Sequence, residues 1–81
     1  MIEVVLQSLA EHKYIQVKET VREMHYADVA EVFERLEDDE SAQLLFRLLP
    51  KDIAAEVFSY MEAEDQERLI STVSDKELRF I

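Results

Sequence analysis

Two glutamates occupy the same place in a tetrapeptide that the chain contains twice. Ala-Glu-Val-Phe occurs at residues 30–33 and again at residues 55–58, so Glu31 and Glu56 stand 25 positions apart. Glu31 is followed four residues later by Arg35, which is the favourable order for an ion pair on a helix surface. That pairing accounts for Glu31 without any chemical function.

The second glutamate has no such partner in the sequence. Tyr60 stands where an arginine would be needed, and Asp52 lies four residues before Glu56, so a helix would place two carboxylates one turn apart. Like charges at this spacing repel each other unless a cation lies between them. Magnesium is held by one or two carboxylates while it keeps several of its waters. Asp52 and Glu56 are therefore the candidate metal ligands, in a weak site that another surface would complete. A simple solvated acidic face is the alternative.

Other residue types offer little for catalysis. His12 and His25 both fall between predicted helices, and neither has an acid or a hydroxyl at a spacing typical of a nucleophile and its base. The acidic run at residues 37–40 lies at a predicted turn, where capping of the next helix and interaction with its dipole explain it. It lacks the ligand spacing and the glycine of an EF-hand loop. We therefore do not expect an enzyme.

Composition favours a small helical domain. The 81 residues include 48% hydrophobic side chains, no glycine, no cysteine and a single proline, Pro50. Without glycine, tight β-hairpin turns and phosphate-binding loops are disfavoured, and the apolar residues recur at helical spacing throughout. No apolar run is long enough to cross a membrane. A chain of this length forms one domain.

The charge balance narrows the class of partner. Nineteen acidic side chains against nine basic ones give a net charge of −10. Such a surface repels the phosphates of nucleic acids and of anionic membranes, so we expect no nucleic-acid partner and no direct membrane contact. It attracts cations and basic partners, although acids that merely keep a small domain soluble would give the same balance.

Sliding the sequence by 25 positions aligns more than the tetrapeptide. Further equivalent pairs are Leu36 with Met61, Asp39 with Glu64, Leu44 with Leu69, Leu45 with Ile70, and Leu48 with Val73. Such a period holds two helices of about ten residues and their turns, which is one αα-hairpin. We predict one helical-repeat domain over residues 1–81, with hairpins at about 2–24, 27–49 and 51–73. A capping box at residues 74–77 predicts the start of another hairpin at residue 75. The segment 41–49, apolar on most sides, should be the least exposed.

The order of these segments resembles that of a known family. Val-Arg-Glu-Met-His at 21–25 is followed by Ala-Asp-Val-Ala-Glu at 27–31, the acidic turn, Leu-Leu-Phe-Arg-Leu-Leu-Pro at 44–50 and Ala-Ala-Glu-Val at 54–57. From Leu6 to Ala63 the chain resembles the intracellular N-terminal domain of the MgtE family of magnesium transporters. Tyr26 departs from the family, which usually has proline after the histidine. We expect further repeats beyond Ile81, so that the chain is a truncated form of that domain.

The resemblance implies an all-α, armadillo-like fold, a right-handed superhelix of stacked short αα-hairpins, with about six to seven helices here. It implies a cytoplasmic domain of an integral plasma (inner) membrane protein that is a homodimer. In the family, Mg²⁺ bridges this domain to CBS domains of the same polypeptide and favours pore closure. The metal-contacting glutamate of the family's Ala-Ala-Glu-Val segment corresponds to Glu56. Further family acids lie in helices outside this chain, so the Mg²⁺ site would be weak and shared with another domain.

One other function class stays open, and a further one, an enzyme, has almost no support in the sequence. A helical-repeat module for protein–protein interaction, like the related repeats of the flagellar rotor protein family, predicts an exposed apolar groove and binding that is indifferent to magnesium. An enzyme would need a perturbed catalytic pair in a pocket, which the composition does not suggest.

Overall fold

Six α-helices make up the part of the chain that the computed structural model describes, residues 1–79, with side chains described for residues 1–71. The helices are α1 (Ile2–Ala10), α2 (Tyr14–Glu23), α3 (Tyr26–Arg35), α4 (Asp39–Leu48), α5 (Lys51–Tyr60) and α6 (Ala63–Arg79). No strand occurs within these 79 residues. The prediction of an all-α fold is therefore confirmed.

The helix boundaries follow the 25-residue period. Helices α3 and α5 begin at Tyr26 and Lys51, and α2 and α4 begin at Tyr14 and Asp39, so each pair starts 25 residues apart. The period therefore extends into the first 24 residues, although their sequence is divergent. This regularity is consistent with a stack of helical hairpins. The predicted hairpin limits at 27–49 and 51–73 remain predictions.

Equivalent helices of successive repeats pack against each other. Helix α1 contacts α3, and α3 contacts α5, while α2 contacts α4, and α4 contacts α6. Helix α1 also packs closely on α2. Each repeat thus buries its apolar face on the next repeat, as expected for a hairpin that is too small to bury that face alone.

The core draws side chains from every described helix. Its most buried members are Val5, Val17, Val21, Val29, Val32, Phe33, Ala42, Leu45, Val57 and Leu69. Three phenylalanine rings connect the second and third repeats, with Phe33 in the core and Phe46 and Phe58 packed against it. Phe46 of α4 lies between the repeat-equivalent Phe33 and Phe58, with ring centroids 6.3 Å apart on each side and edge-to-face geometry. Such aromatic pairs stabilise by about 0.5–1.5 kcal/mol beyond the burial of their area.

The segment 41–49, most of α4, is the least exposed of the predicted helices within residues 1–71. Arg47 is its one exposed residue, and the others are buried or half-buried. Because α4 contacts both α2 and α6, its apolar residues find neighbours on two sides. The prediction from its all-round apolar pattern is confirmed.

The chain ends its helices without glycine. Helices α2 to α5 are each followed by an apolar residue with extended backbone, namely Met24, Leu36, Leu49 and Met61. Three of these side chains are buried and Leu36 is packed against the core, so each helix stops where its next residue turns inward. The turn between α1 and α2 differs, because His12 takes a positive φ of 63°, the left-handed region that glycine adopts most easily.

The predicted helix start at residue 75 needs correction. Helix α6 runs unbroken from Ala63 to Arg79, through the capping-box sequence at residues 74–77. No glycine or proline interrupts this stretch, and lysine and glutamate are good helix formers, so nothing forces the backbone out of the helix. The described residues therefore hold six helices, and residues 80–81 of the predicted further hairpin lie outside them.

Candidate functional site

Asp52 and Glu56 lie on the exposed side of α5. Asp52 is in the first turn of the helix, Glu56 is one turn later, and both residues are solvent-exposed. Among the described residues, neither carboxylate forms an ion pair or a hydrogen bond. The side chain at position 56 is therefore not held inward by any described arginine or lysine.

The sequence around α5 explains this orientation. Pro50 precedes the helix with φ −56° and ψ 148°, an extended conformation that suits a residue at the entry to a helix. Ala54 and Val57 are buried against the core, which turns the opposite face of the helix toward solvent. Asp52 interacts favourably with the positive end of the helix dipole, so its charge has a structural benefit as well.

The repeat-equivalent glutamates differ as the sequence predicted. Arg35 Nη2 lies 3.3 Å from Glu31 Oε2, one turn along α3. Both side chains are about half exposed, so this ion pair stabilises by only about 0.2–0.5 kcal/mol, but it neutralises Glu31. Tyr60 takes the place of the arginine on α5. The two copies of one tetrapeptide thus present one paired and one unpaired carboxylate.

The donor set suits a water-rich magnesium contact. The described residues contain no group of three histidine, cysteine or acidic side chains that could enclose a metal ion. Two neighbouring carboxylates are nevertheless the kind of oxygen donors that Mg²⁺ takes while it keeps several waters. Asp52 and Glu56 could hold such an ion from one side, and further oxygen donors would have to come from another surface.

The acidic turn at residues 37–40 has structural roles. Asp38 caps α4, because its Oδ2 accepts hydrogen bonds from the backbone N–H of Ser41 at 3.0 Å and from the Ser41 hydroxyl at 2.7 Å. These bonds, with the hydroxyl as the larger cause, lower the pKa of the Asp38 carboxyl below its usual value of 3.8. Capping, which the sequence predicted for this turn, is confirmed.

A long-range contact at this turn was not predicted from the sequence. Arg68 of α6 donates from Nε to Oδ1 of Asp39 at 2.5 Å and from Nη1 to the carbonyl oxygen of Leu36 at 2.8 Å. The residues are 29 and 32 positions apart, and no local spacing rule connects them. Through this contact, Asp39 helps to hold the second repeat against the third.

The histidines lie at helix junctions, as expected. His12 stands in the turn before α2, where its Nδ1 lies 2.7 Å from the Tyr14 hydroxyl. His25 precedes α3, and its side chain makes no capping hydrogen bond there. A cleft of about 280 Å³ beside His12 is lined by Asp38, Glu40 and apolar side chains of α1 and α4.

Two exposed tyrosines contact each other at one end of α5. This contact was not predicted from the sequence either. Tyr26 begins α3 and Tyr60 ends α5, and their ring centroids are 6.2 Å apart. Their exposed fractions are 39% and 57%. The only available signal was Tyr26 itself, at the position where the resembled family usually has proline.

The fold and the site define a helical-repeat domain that exposes an acidic face on α5. The family model described as MgtE intracellular N domain matches residues 24–81, most of the chain. The protein belongs to this family and is thereby associated with the MgtE magnesium transporters, as the resemblance predicted. The match covers α3 to α6, whereas α1 and α2 precede it. No curated protein and no solved structure gave a match.

The length and hydropathy of the described helices indicate whether any of them could cross a membrane. Within residues 1–79, no helix combines the length and the hydropathy needed to cross a bilayer.

Proposed function

We propose that this chain is a magnesium-sensing regulatory domain of a magnesium transporter. Mg²⁺ would bridge its Asp52–Glu56 face to an acidic surface of CBS domains in the same polypeptide and thereby favour a closed pore. Membership of the MgtE intracellular N domain family supports the association with transport. The observation that carries the proposal for this site is the exposed carboxylate pair on α5, which has no cation of its own among the described residues.

The mechanism follows from electrostatics. Two acidic surfaces repel each other when no ion is bound, so the separated arrangement is favoured at low magnesium. A divalent cation placed between them converts that repulsion into attraction. The ion shifts the equilibrium only through its higher affinity for the compact arrangement, so the second surface must supply ligands that this chain lacks.

This mechanism predicts weak binding to the chain alone. With two exposed carboxylates and several waters as its ligands, Mg²⁺ should bind with a dissociation constant in the millimolar range. This corresponds to a binding free energy of about −4 kcal/mol. In the proposal the domain lies on the cytoplasmic side of the plasma (inner) membrane, in a homodimeric transporter. It touches neither the bilayer nor nucleic acid, in keeping with its net charge of −10.

Calorimetry with and without the CBS domains tests the proposal. Magnesium titrated into the 81-residue chain should give weak, unsaturated heats, and addition of the transporter's CBS domains should produce a tighter, saturable transition. Glu56→Gln should weaken that transition, whereas Glu31→Gln, which removes the same charge at the equivalent position of α3, should not. A tight magnesium site on the chain alone, or equal effects of the two variants, would contradict the proposal.

A second candidate function is a protein–protein interaction module without a metal role. The observation that favours it is the presence of exposed large hydrophobic side chains, including Ile15 at 75%, Tyr60 at 57% and Ile70 at 55% exposure. Such a module would bind its partner equally well with and without magnesium, and the same titration separates the two candidates.

A further inference from the structure

The exposed tyrosine pair serves neither the core nor the metal bridge. Tyr26 and Tyr60 come from different repeats, and their rings lie at 6.2 Å with their planes inclined by 39°. Both are among the most exposed large side chains of the described residues. Two aromatic rings held side by side at the surface form a preformed apolar platform, and such platforms with a polar rim are typical of binding surfaces.

Carboxylates continue this platform along α5. Glu56 precedes Tyr60 by four residues and Asp52 precedes Glu56 by four, so the three side chains follow one another along a single helix face. All three are exposed. Neither acid is paired within the described part of the chain, so both keep their full capacity to accept hydrogen bonds. We call this set, Asp52, Glu56, Tyr60 and Tyr26, the acidic–aromatic face.

We propose that the acidic–aromatic face is the docking site for an arginine-bearing basic segment of a partner protein. A guanidinium group can stack on the Tyr60 ring and donate two hydrogen bonds to the Glu56 carboxylate, which is one helical turn away. Asp52, a further turn along, can take a second basic side chain of the same segment.

Charge complementarity selects this occupant over others. An acidic segment would be repelled by a chain of net charge −10. An apolar helix laid over the face would bury the Glu56 carboxylate without a partner, which is strongly unfavourable. A basic segment satisfies the carboxylates and covers the rings at the same time.

The aromatic pair makes the face selective for arginine. Lysine can pair with the carboxylates, but its compact ammonium group is more strongly hydrated and lacks the planar surface that stacks on a ring. Cation–π contact at an exposed site contributes about 0.5–1 kcal/mol, so we expect a preference for arginine over lysine of roughly two- to fivefold. A general acidic surface without the rings would show a smaller preference, because only the paired hydrogen bonds to carboxylates would favour arginine.

The inference is independent of the magnesium function, but the two share Glu56. A magnesium ion at Asp52 and Glu56 would occupy the oxygens that a guanidinium needs, so magnesium and a basic segment would compete. If arginine selectivity is found without this competition, the docking site stands and the magnesium proposal for Glu56 fails.

The test is a nuclear magnetic resonance titration of the 81-residue chain with end-blocked tetra-arginine and tetra-lysine peptides. We expect tighter binding of tetra-arginine by roughly two- to fivefold, with shifts concentrated at the start of α3 and the end of α5. Tyr60→Phe keeps the ring and should keep the preference. Tyr60→Leu keeps an apolar side chain but removes the ring, and should reduce the preference for tetra-arginine, leaving only what the hydrogen bonds to the carboxylates contribute. Because Tyr60 is exposed, neither variant should affect folding.

Matched charge variants complete the test. Glu56→Gln should weaken binding of both peptides, and Glu31→Gln should weaken it less, because Glu31 is already paired with Arg35. Equal affinity of the two peptides for the unmodified chain would overturn the proposal. It would also be overturned if Tyr60→Leu retained the full preference, or if the shifts were spread evenly over the acidic surface.

Discussion

Arg68 of α6 and Asp39 of α4 are joined by a hydrogen bond of 2.5 Å from Nε to Oδ1, across 29 residues of sequence. The same guanidinium donates to the carbonyl oxygen of Leu36, the residue that follows α3, at 2.8 Å. The Arg68 side chain therefore ties the third repeat, α5 and α6, to the turn between α3 and α4 in the second repeat.

Loss of this tie should lower stability. Arg68→Met keeps the apolar stem but leaves the Leu36 carbonyl oxygen without its side-chain donor, so we expect a loss of about 1–3 kcal/mol in the free energy of unfolding. Asp39→Asn should cost less, because Asp39 is largely exposed and its amide oxygen can still accept. Urea denaturation of both variants measures the difference. Equal losses would contradict the larger role of the Leu36 carbonyl contact, and no loss in Arg68→Met would show that the tie does not hold the repeats together.

The contact among the rings of Phe33, Phe46 and Phe58 should be needed for the protein to unfold in one cooperative transition. Phe46→Ala removes the ring that lies between Phe33 and Phe58, and should cost about 3–5 kcal/mol, less if its partial exposure lets neighbours close the gap. Phe46→Leu should cost clearly less, because it fills most of the volume. Thermal unfolding followed by circular dichroism measures both, and a fully cooperative transition of Phe46→Ala at an unchanged Tm would contradict the packing described here.

The turn at His12 stores a local conformational cost. Its φ of 63° is accessible to glycine without a steric penalty, whereas a residue with a Cβ pays about 1 kcal/mol, partly offset by the greater freedom of glycine in the unfolded chain. His12→Gly should therefore raise the Tm, even though it removes the contact with the Tyr14 hydroxyl. His12→Ala is the control, because it loses the same contact but keeps the Cβ, and it should lower the Tm. A lower Tm for both variants would show that loss of the contact with the Tyr14 hydroxyl outweighs the gain from relieving the backbone conformation.

The cap of α4 should be sensitive to acid. Hydrogen bonds from Ser41 lower the pKa of Asp38, so the folded state binds this proton less readily than the unfolded chain. The stabilisation by this group is therefore complete above its ordinary pKa of 3.8 and is lost as the pH falls through the lower folded value. Asp38→Asn keeps the acceptor oxygen and removes the titration. We expect the Ser41 amide resonance to titrate below pH 3.8 in the unmodified chain and to be flat in Asp38→Asn. A midpoint at or above 3.8 would contradict the cap.

Much of the fold follows from local pattern. The repeated tetrapeptide placed Glu31 and Glu56 on equivalent helices, and the Glu31–Arg35 pair follows directly from its spacing. What could not be predicted joins residues of different repeats. Tyr26 with Tyr60 and Arg68 with Asp39 meet only because helices of successive repeats pack together, and no short-range rule contains that packing. The helix continues through residue 74 because a capping box permits a helix start but does not impose one.

Inhibition of transport by magnesium in the full-length transporter tests the central claim most directly. With Glu56→Gln, a higher magnesium concentration should be needed for half-maximal inhibition, and Asp52→Asn should add to that shift. The matched variant Glu31→Gln should leave inhibition unchanged, because its carboxylate is already neutralised by Arg35. Magnesium inhibition that is the same in Glu56→Gln as in the unmodified transporter would contradict the account.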